Sequence, residues 1–165
     1  MITITGPLKA RSLALITVLS FTAVAVACKA APSTTPSPST ATSAASNLVG
    51  TLNPAVTQAT IRATICVAGW TARIRPPSSW TGALERRQIR ELGLPGTAAD
   101  YEEDHLMPLA LGGAPRDPKN LRPVPLATAK WHDGWETRLH REVCAGTMTL
   151  TEAQAEMSRV KENLR

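Results

Sequence analysis

Asp104-His105-Leu106-Met107-Pro108-Leu109-Ala110-Leu111-Gly112-Gly113, followed by Asn120-Leu121, is the stretch that decides the fold. A mostly apolar run ends on a Gly-Gly pair that interrupts any regular element, so residues 101–111 read as a strand closed by a turn at 112–113. Residues 114–125 are dense in proline and read as a loop with a short strand around 120–122. Residues 126–144 read as a helix that Ala145-Gly146 ends. Strand, turn, strand, helix is the resulting order across 101–144. Outward from it, Asn53-Pro54 opens a helix expected to reach Cys66, with Asn as cap and Pro at the first helical position. Residues 67–75 read as extended and stop at Pro76-Pro77, after which Ser78 or Ser79 caps a helix over about 80–92. Thr149 with Glu152 makes a capping box for a last helix to about Leu164. Helices thus surround the strand unit, and the fold class is α+β with helices predominating.

The chain has 165 residues, with 18 basic against 13 acidic side chains, a formal charge of +5. Three of the basic residues, Lys9, Arg11 and Lys29, lie in the first 46 positions, which hold no acid, so 15 stand against 13 from Asn47 onward. So small an excess carries no nucleic-acid argument unless the basic groups cluster. Residues 47–165 fit one domain of ordinary size. The chain shows no repeated period and no sustained heptads, which excludes solenoids and coiled coils.

Lys9 and Arg11 precede an almost wholly apolar run from Ser12 to Ala27, the order of a secretory signal peptide. The run is short of the roughly 20 apolar residues of a permanent membrane span. Ala25-Val26-Ala27-Cys28 admits two cleavages. It resembles a bacterial lipobox, which makes 1–27 the signal and Cys28 a lipidated residue, although Ala25 stands where Leu is commoner. It also fits a small-x-small site that frees the domain. The expected location is therefore the membrane surface, reached only through a lipid, or the medium. Residues 28–46, rich in Ser, Thr, Pro and Ala, read as a tether. With Cys28 lipidated, Cys66 and Cys144 remain as an even pair closing a loop of 144 − 66 = 78 residues. Loop-closure entropy gives such a disulfide roughly 4 kcal/mol. The only Phe lies in the signal, so Trp70, Trp80, Trp131 and Trp135 read as core residues of a monomeric domain.

Hydrolysis of a phosphodiester needs a deprotonated water, a cation to offset transition-state charge and support for the leaving oxygen. An imidazole titrating near neutrality, such as His105, suits the first task. Asp104 offers a hard carboxylate oxygen and Asn120 a neutral carbonyl, ligands that Mg²⁺, Mn²⁺ or Ca²⁺ prefer. Consecutive strand residues face opposite ways, so Asp104 and His105 share a site only at a strand end or bulge. At about 100° per residue, Trp131, Trp135, Leu139 and Val143 form an apolar stripe on the following helix. His132 falls within that arc, Glu136 at its edge and Asp133 well outside, toward water. If the stripe packs on the strands, His132 faces the same side as Asp104 and His105, ahead of Glu136. Arg116, Lys119 and Arg122 around the Asn120 loop, with Arg138 and Arg141 on the helix, offer a phosphate footprint. Arg86, Arg87 and Arg90 alternate with Glu85 and Glu91 and read as a solvated face, and His140 as a supporting contact. Singly, each residue has a plain explanation: a structural histidine beside a carboxylate, an Asn capping a turn, a satisfied core histidine. Their joint spacing carries the chemistry.

Asp104-His105, the apolar alternation, Gly112-Gly113, Asn120-Leu121 and the helix after them resemble the HNH endonuclease family across residues 101–144. Tyr101-Glu102-Glu103 and Leu139-His140-Arg141-Glu142-Val143-Cys144 look like that family's exported bacterial relatives. The resemblance implies a ββα-metal fold and hydrolysis of nucleic acid, DNA before RNA, with one divalent cation, Mg²⁺ or Mn²⁺. Residue by residue, it makes His105 the general base, Asp104 a metal ligand, and Asn120 a ligand or an orienter of the base. Nine residues past Asn120, where a frequent family spacing puts the third motif residue, stands Ala129, so the last metal-site role that the resemblance implies passes to His132 first, Glu136 second and Asp133 as an outside possibility. The alternative is the same fold used as a binding or scaffold module without the reaction.

Overall fold

A computed structural model describes residues 48–164. The expected signal peptide, the expected lipidation at Cys28 and the expected tether fall outside the described residues. The described part is mixed α and β. Helix α1 (Trp70–Ile74) and helix α2 (Ser78–Glu91) lead into strand β1 (Tyr101–His105), then strand β2 (Leu121–Pro125), helix α3 (Leu126–Ala145) and helix α4 (Leu150–Val160). Short 3-10 turns at Ile61–Ala63, Leu109–Leu111 and Pro118–Asn120 link them.

The helix expected from Asn53 to Cys66 is replaced by turns. Threonine hydroxyls there bond the backbone in place of a helical ladder: Thr60 donates to the Ala55 carbonyl (2.8 Å) and accepts from the Thr57 amide (2.8 Å). Only Ile61–Ala63 winds up, as a 3-10 turn. The segment expected to be extended instead contains α1, entered through Gly69 at φ +73° and left through Arg75 at ψ 133°, the extended backbone that a following proline imposes. Helix α2 begins at Ser78, with extended Pro77 rather than a serine at its N-cap position.

Strand β1 ends at His105, six residues earlier than expected, because Pro108 has no N–H for a ladder and Leu109–Leu111 curl into a 3-10 turn. The strands are antiparallel, with Tyr101 opposite Pro125, Asp104 opposite Arg122 and His105 opposite Leu121. Pro123 and Pro125 are tolerated because each strand of a two-stranded sheet keeps a free edge. Helices α2 and α3 both pack on this sheet. Helix α4 starts on the expected Thr149–Glu152 capping box but stops at Val160.

The core joins α3 and α4 through Leu139, Val143, Ala153 and Met157, and reaches Met107 and Leu111 beyond the strand end. As expected, Cys66 and Cys144 form a disulfide (Cα–Cα 5.5 Å), fastening the end of α3 to the first turns. His140 supports the same junction by bonding the Ile65 carbonyl at 2.8 Å. Trp70 is buried in the core, Trp135 packs against it partly buried and Trp80 is partly buried, whereas Trp131 is 53% exposed on the solvent side of α3. The stripe therefore does not point where Trp131 suggested. The buried residues of α3 are Ala129, His132, Leu139 and Val143, a face rotated by about 50° from the expected one.

Candidate active site

The loop after β1 is organised by Asn120, which is fully buried at the end of a 3-10 turn capped by Asp117. Its Oδ1 accepts from the amides of Met107 (2.8 Å) and Thr51 (3.1 Å), and its Nδ2 donates to the carbonyls of Met107 (3.0 Å) and Ala114 (2.9 Å). Two acceptor lone pairs and two donor hydrogens are all that an amide has. Asn120 is therefore neither the metal ligand nor the catalytic group expected of it; it ties the loop together. Glycines make room for it. A Cβ at Gly113 would run into the Met107 carbonyl and stand 2.8 Å from Asn120 Nδ2, and one at Gly50, where φ is +83°, would strike Asn120 Oδ1.

This loop fixes the end of β1, where the Leu106 amide donates to the Asn120 carbonyl at 2.7 Å. His105, the last residue of the strand, is buried, and its Nε2 lies 3.2 Å from the Pro115 carbonyl. A carbonyl only accepts, so Nε2 carries the proton in this bond and Nδ1 keeps the lone pair. Burial holds the imidazole below its ordinary range, against the opposing pull of the Pro115 bond, so the ring is neutral at pH 7.

His105 borders a polar pocket of about 40 Å³ at the free edge of β1, which Arg75, Glu102, Asp104, Asp133 and Glu136 also line. The adjacent residues Asp104 and His105 share it because the pocket lies along the strand, where Glu102 and Glu103 border it too, so the alternation of faces does not separate them. Asp104 is turned toward α3. Its Oδ2 accepts from His132 Nδ1 at 3.0 Å and from Lys161 Nζ at 2.6 Å, and Lys161 also donates to the His105 carbonyl at 2.6 Å. Burial would raise the Asp104 pKa, but the bonds from His132 and Lys161 outweigh it and keep the carboxylate ionised. Its Oδ1 has no hydrogen-bond partner among the described residues.

The order expected along α3 is reversed. His132 is buried behind Asp104 and does not line the pocket, so its contact is with the carboxylate. Glu136 does line the pocket, and so does Asp133, which is exposed to water as expected and borders the pocket as well. Spaced three apart, the two share one side of the helix. Glu136 is pushed up to about 7 by burial, with repulsion from Asp104 and Asp133 added and Lys161 and Arg75 opposing. Glu102 is raised by burial and by Asp133. On the α2 side, Glu103 is pushed up to about 8 by burial and by Glu85, and both its carboxyl oxygens are buried without a partner.

Five carboxylates, those of Glu102, Glu103, Asp104, Asp133 and Glu136, border this small polar pocket and match the donor chemistry of a hard divalent cation, whose charge would relieve the shifts in Glu102 and Glu136. Among the described residues, no three His, Cys, Asp or Glu side chains already stand as a closed chelate. The pocket adjoins a groove of about 510 Å³ in which Arg75, Ser78, Thr81 and Tyr101 join Glu102 and His105. Arg75 and Lys161 were not singled out from the sequence, because only the chain's path brings positions so far from the motif to it. None of the five basic residues expected to hold phosphate borders the pocket or groove. Lys119 and Arg122 line a separate cleft with Arg87 and Gln88, Arg138 pairs with Glu142 at 3.0 Å and lies over the Trp135 ring, and Arg116 and Arg141 are exposed. Comparison with known protein families, curated proteins and solved structures finds no match.

Proposed function

We propose that the protein is an exported, metal-dependent endonuclease of the HNH type, with β1, its loop, β2 and α3 as the ββα-metal unit. The observation that carries this reading is the neutral His105, its Nε2 tied to the Pro115 carbonyl, on the wall of a pocket lined by Glu102, Asp104, Asp133 and Glu136. Asp104, Asp133 and Glu136, with Glu102 beside them, would hold one Mg²⁺ or Mn²⁺. When bound, that ion supplies positive charge for the transition state. His105 takes the proton of the attacking water at Nδ1, and the Pro115 carbonyl, bonded to Nε2–H, stabilises the imidazolium that results. Arg75, in the groove, is placed to grip a neighbouring phosphate. Cys28, with the tether after it, would carry a lipid that holds the domain at the membrane surface. Incubation of the protein with supercoiled plasmid and either cation tests the reading: nicking is expected, and loss of nicking in His105→Ala. A wild-type protein inactive on DNA and RNA with both metals would overturn it.

A second reading, a binding or scaffold module of the same fold, is favoured by the absence of a closed chelate among the described residues and by Lys161 already occupying Asp104 Oδ2. Retention of a protein or glycan partner without hydrolysis would select it.

A further inference from the structure

Lys161 is the largest fully buried side chain in the described domain, 1% exposed, yet it comes from the end of α4, outside the motif. Its ammonium makes two bonds of 2.6 Å, one to Asp104 Oδ2 and one to the backbone carbonyl of His105. Lysine is almost never fully buried unless paired, and desolvating it is costly. Stability alone does not require it, since an apolar side chain of similar volume often serves a buried ion-pair site equally well. The acceptors are what stand out. They belong to consecutive residues, the pocket's carboxylate and the residue that bears the imidazole, so one tetrahedral donor fixes a side chain and the next peptide unit together.

We infer that Lys161 is a positioning residue: a cation carried by the chain itself, which sets Asp104 and His105 relative to each other and leaves only Asp104 Oδ1 for a metal ion. This inference rests on the nuclease reading for its rate consequence and on the two bonds alone for its structural one. Lys161 does not touch the reacting atoms. Its removal therefore disorders the geometry of the pocket without removing a donor from it. It also takes a positive charge away from the carboxylates, so a divalent cation should bind as tightly as before, or more tightly.

The test uses the full chain, with plasmid and Mn²⁺ as probes. In Lys161→Met, kcat for nicking at saturating Mn²⁺ should fall at least tenfold, while the Mn²⁺ dissociation constant, measured by calorimetry without nucleic acid, stays level or tightens. Lys161→Arg, which keeps the charge but spreads it over a planar fork, should recover a substantial part of the rate. Without metal or substrate, ¹H–¹⁵N spectra of Lys161→Met should show shifted amides from Asp104 to Leu106 and unmoved ones in α1. Should the Met variant not fold, Lys161→Gln takes its place with the same expectations. Wild-type kcat in a folded neutral variant would overturn the inference and leave the nuclease reading standing. So would loss of Mn²⁺ binding in step with the rate, or unmoved amides at the strand end. A wild-type protein that cuts nothing, with the amide shifts as expected, would instead overturn the nuclease reading and leave Lys161 as the residue that sets the strand end.

Discussion

Replacing Glu136 with Gln should stabilise the domain in mild alkali and change it little in acid. The carboxyl titrates near 4.5 when free and near 7 in the folded protein, pushed there by burial, with Asp104 and Asp133 adding repulsion. Because the folded pKa is the higher one, the folded state holds the proton longer, and stability falls as pH rises from 4.5 to about 7. That interval, at about 1.36 kcal/mol per pH unit, makes the ionised side chain cost about 3 kcal/mol at pH 8 and under about 1 kcal/mol at pH 5. Glutamine keeps the shape and cannot ionise. The variant should therefore melt about 10 °C above wild type at pH 8, for a domain of this size, and within a few degrees of it at pH 5. Circular dichroism melts in metal-free buffer give the comparison, and subtracting variant from wild type cancels the other titrating groups. Added Mn²⁺ should narrow the gap at pH 8, since a cation among the carboxylates relieves only the protein that still has the charge. The same gap at pH 5 and pH 8 would refute the crowded pocket, and a gap at pH 8 untouched by Mn²⁺ would refute cation binding there.

His105→Ala should lower the nicking rate by roughly 10² to 10⁴-fold. Because burial holds this imidazole below its ordinary range, the wild-type rate should fall on acidification along a limb below 6.5; a limb above 7 would contradict a neutral base. Reducing Cys66–Cys144, which opens a loop of 78 residues, should cost about 4 kcal/mol in urea unfolding, and a difference under about 1 kcal/mol would sink the staple. Asn120→Ala forfeits four bonds of about 1 kcal/mol each and should destabilise the domain by about 3 kcal/mol or more, with fast amide exchange at Met107. A variant that melted like wild type and lost only metal binding would restore Asn120 as a ligand.

What was legible in the sequence depended on local rules. The Thr149–Glu152 box, the Gly146 stop and the length of α3 are decided within one or two turns of chain, and the structure agrees with them. The pairing of Cys66 with Cys144 followed from counting. The turns from Asn53 to Cys66 were misread because a cap-like Asn-Pro looks the same whether or not threonines downstream divert the backbone. The face of α3 was misread because Trp131 was counted as core on hydrophobicity, while Met107, Leu111 and Met157 fill that interior. That one error of rotation exchanged the roles of His132 and Asp133. The basic footprint failed for a similar reason: nearness in sequence to Asn120 says nothing about which edge of the strand a side chain borders, and the groove recruited Arg75 instead.

Asn120, expected to be a ligand or an orienter of the base, belongs to the scaffold, and the geometry explains what a substitute there would lose. An amide is the one side chain of that size that offers two acceptor and two donor sites at once, and the loop spends all four on backbone groups of Thr51, Met107 and Ala114. An aspartate there would present a carboxylate to two carbonyls, and a glycine-to-alanine change at Gly113 would push the same carbonyl off its donor. The groups to which the nuclease reading assigns the chemistry sit one layer out, where β1 ends: His105 held by Pro115, Asp104 held by His132 and Lys161, and the acids of α3 beside them. Asn120 and His132 thus have their partners inside the protein, whereas both carboxyl oxygens of Glu103 are buried without one. The carboxylates that line the pocket, Glu102, Glu103, Asp104, Asp133 and Glu136, supply the oxygen ligands that the proposed cation would need, with Arg75 and His105 on the same wall.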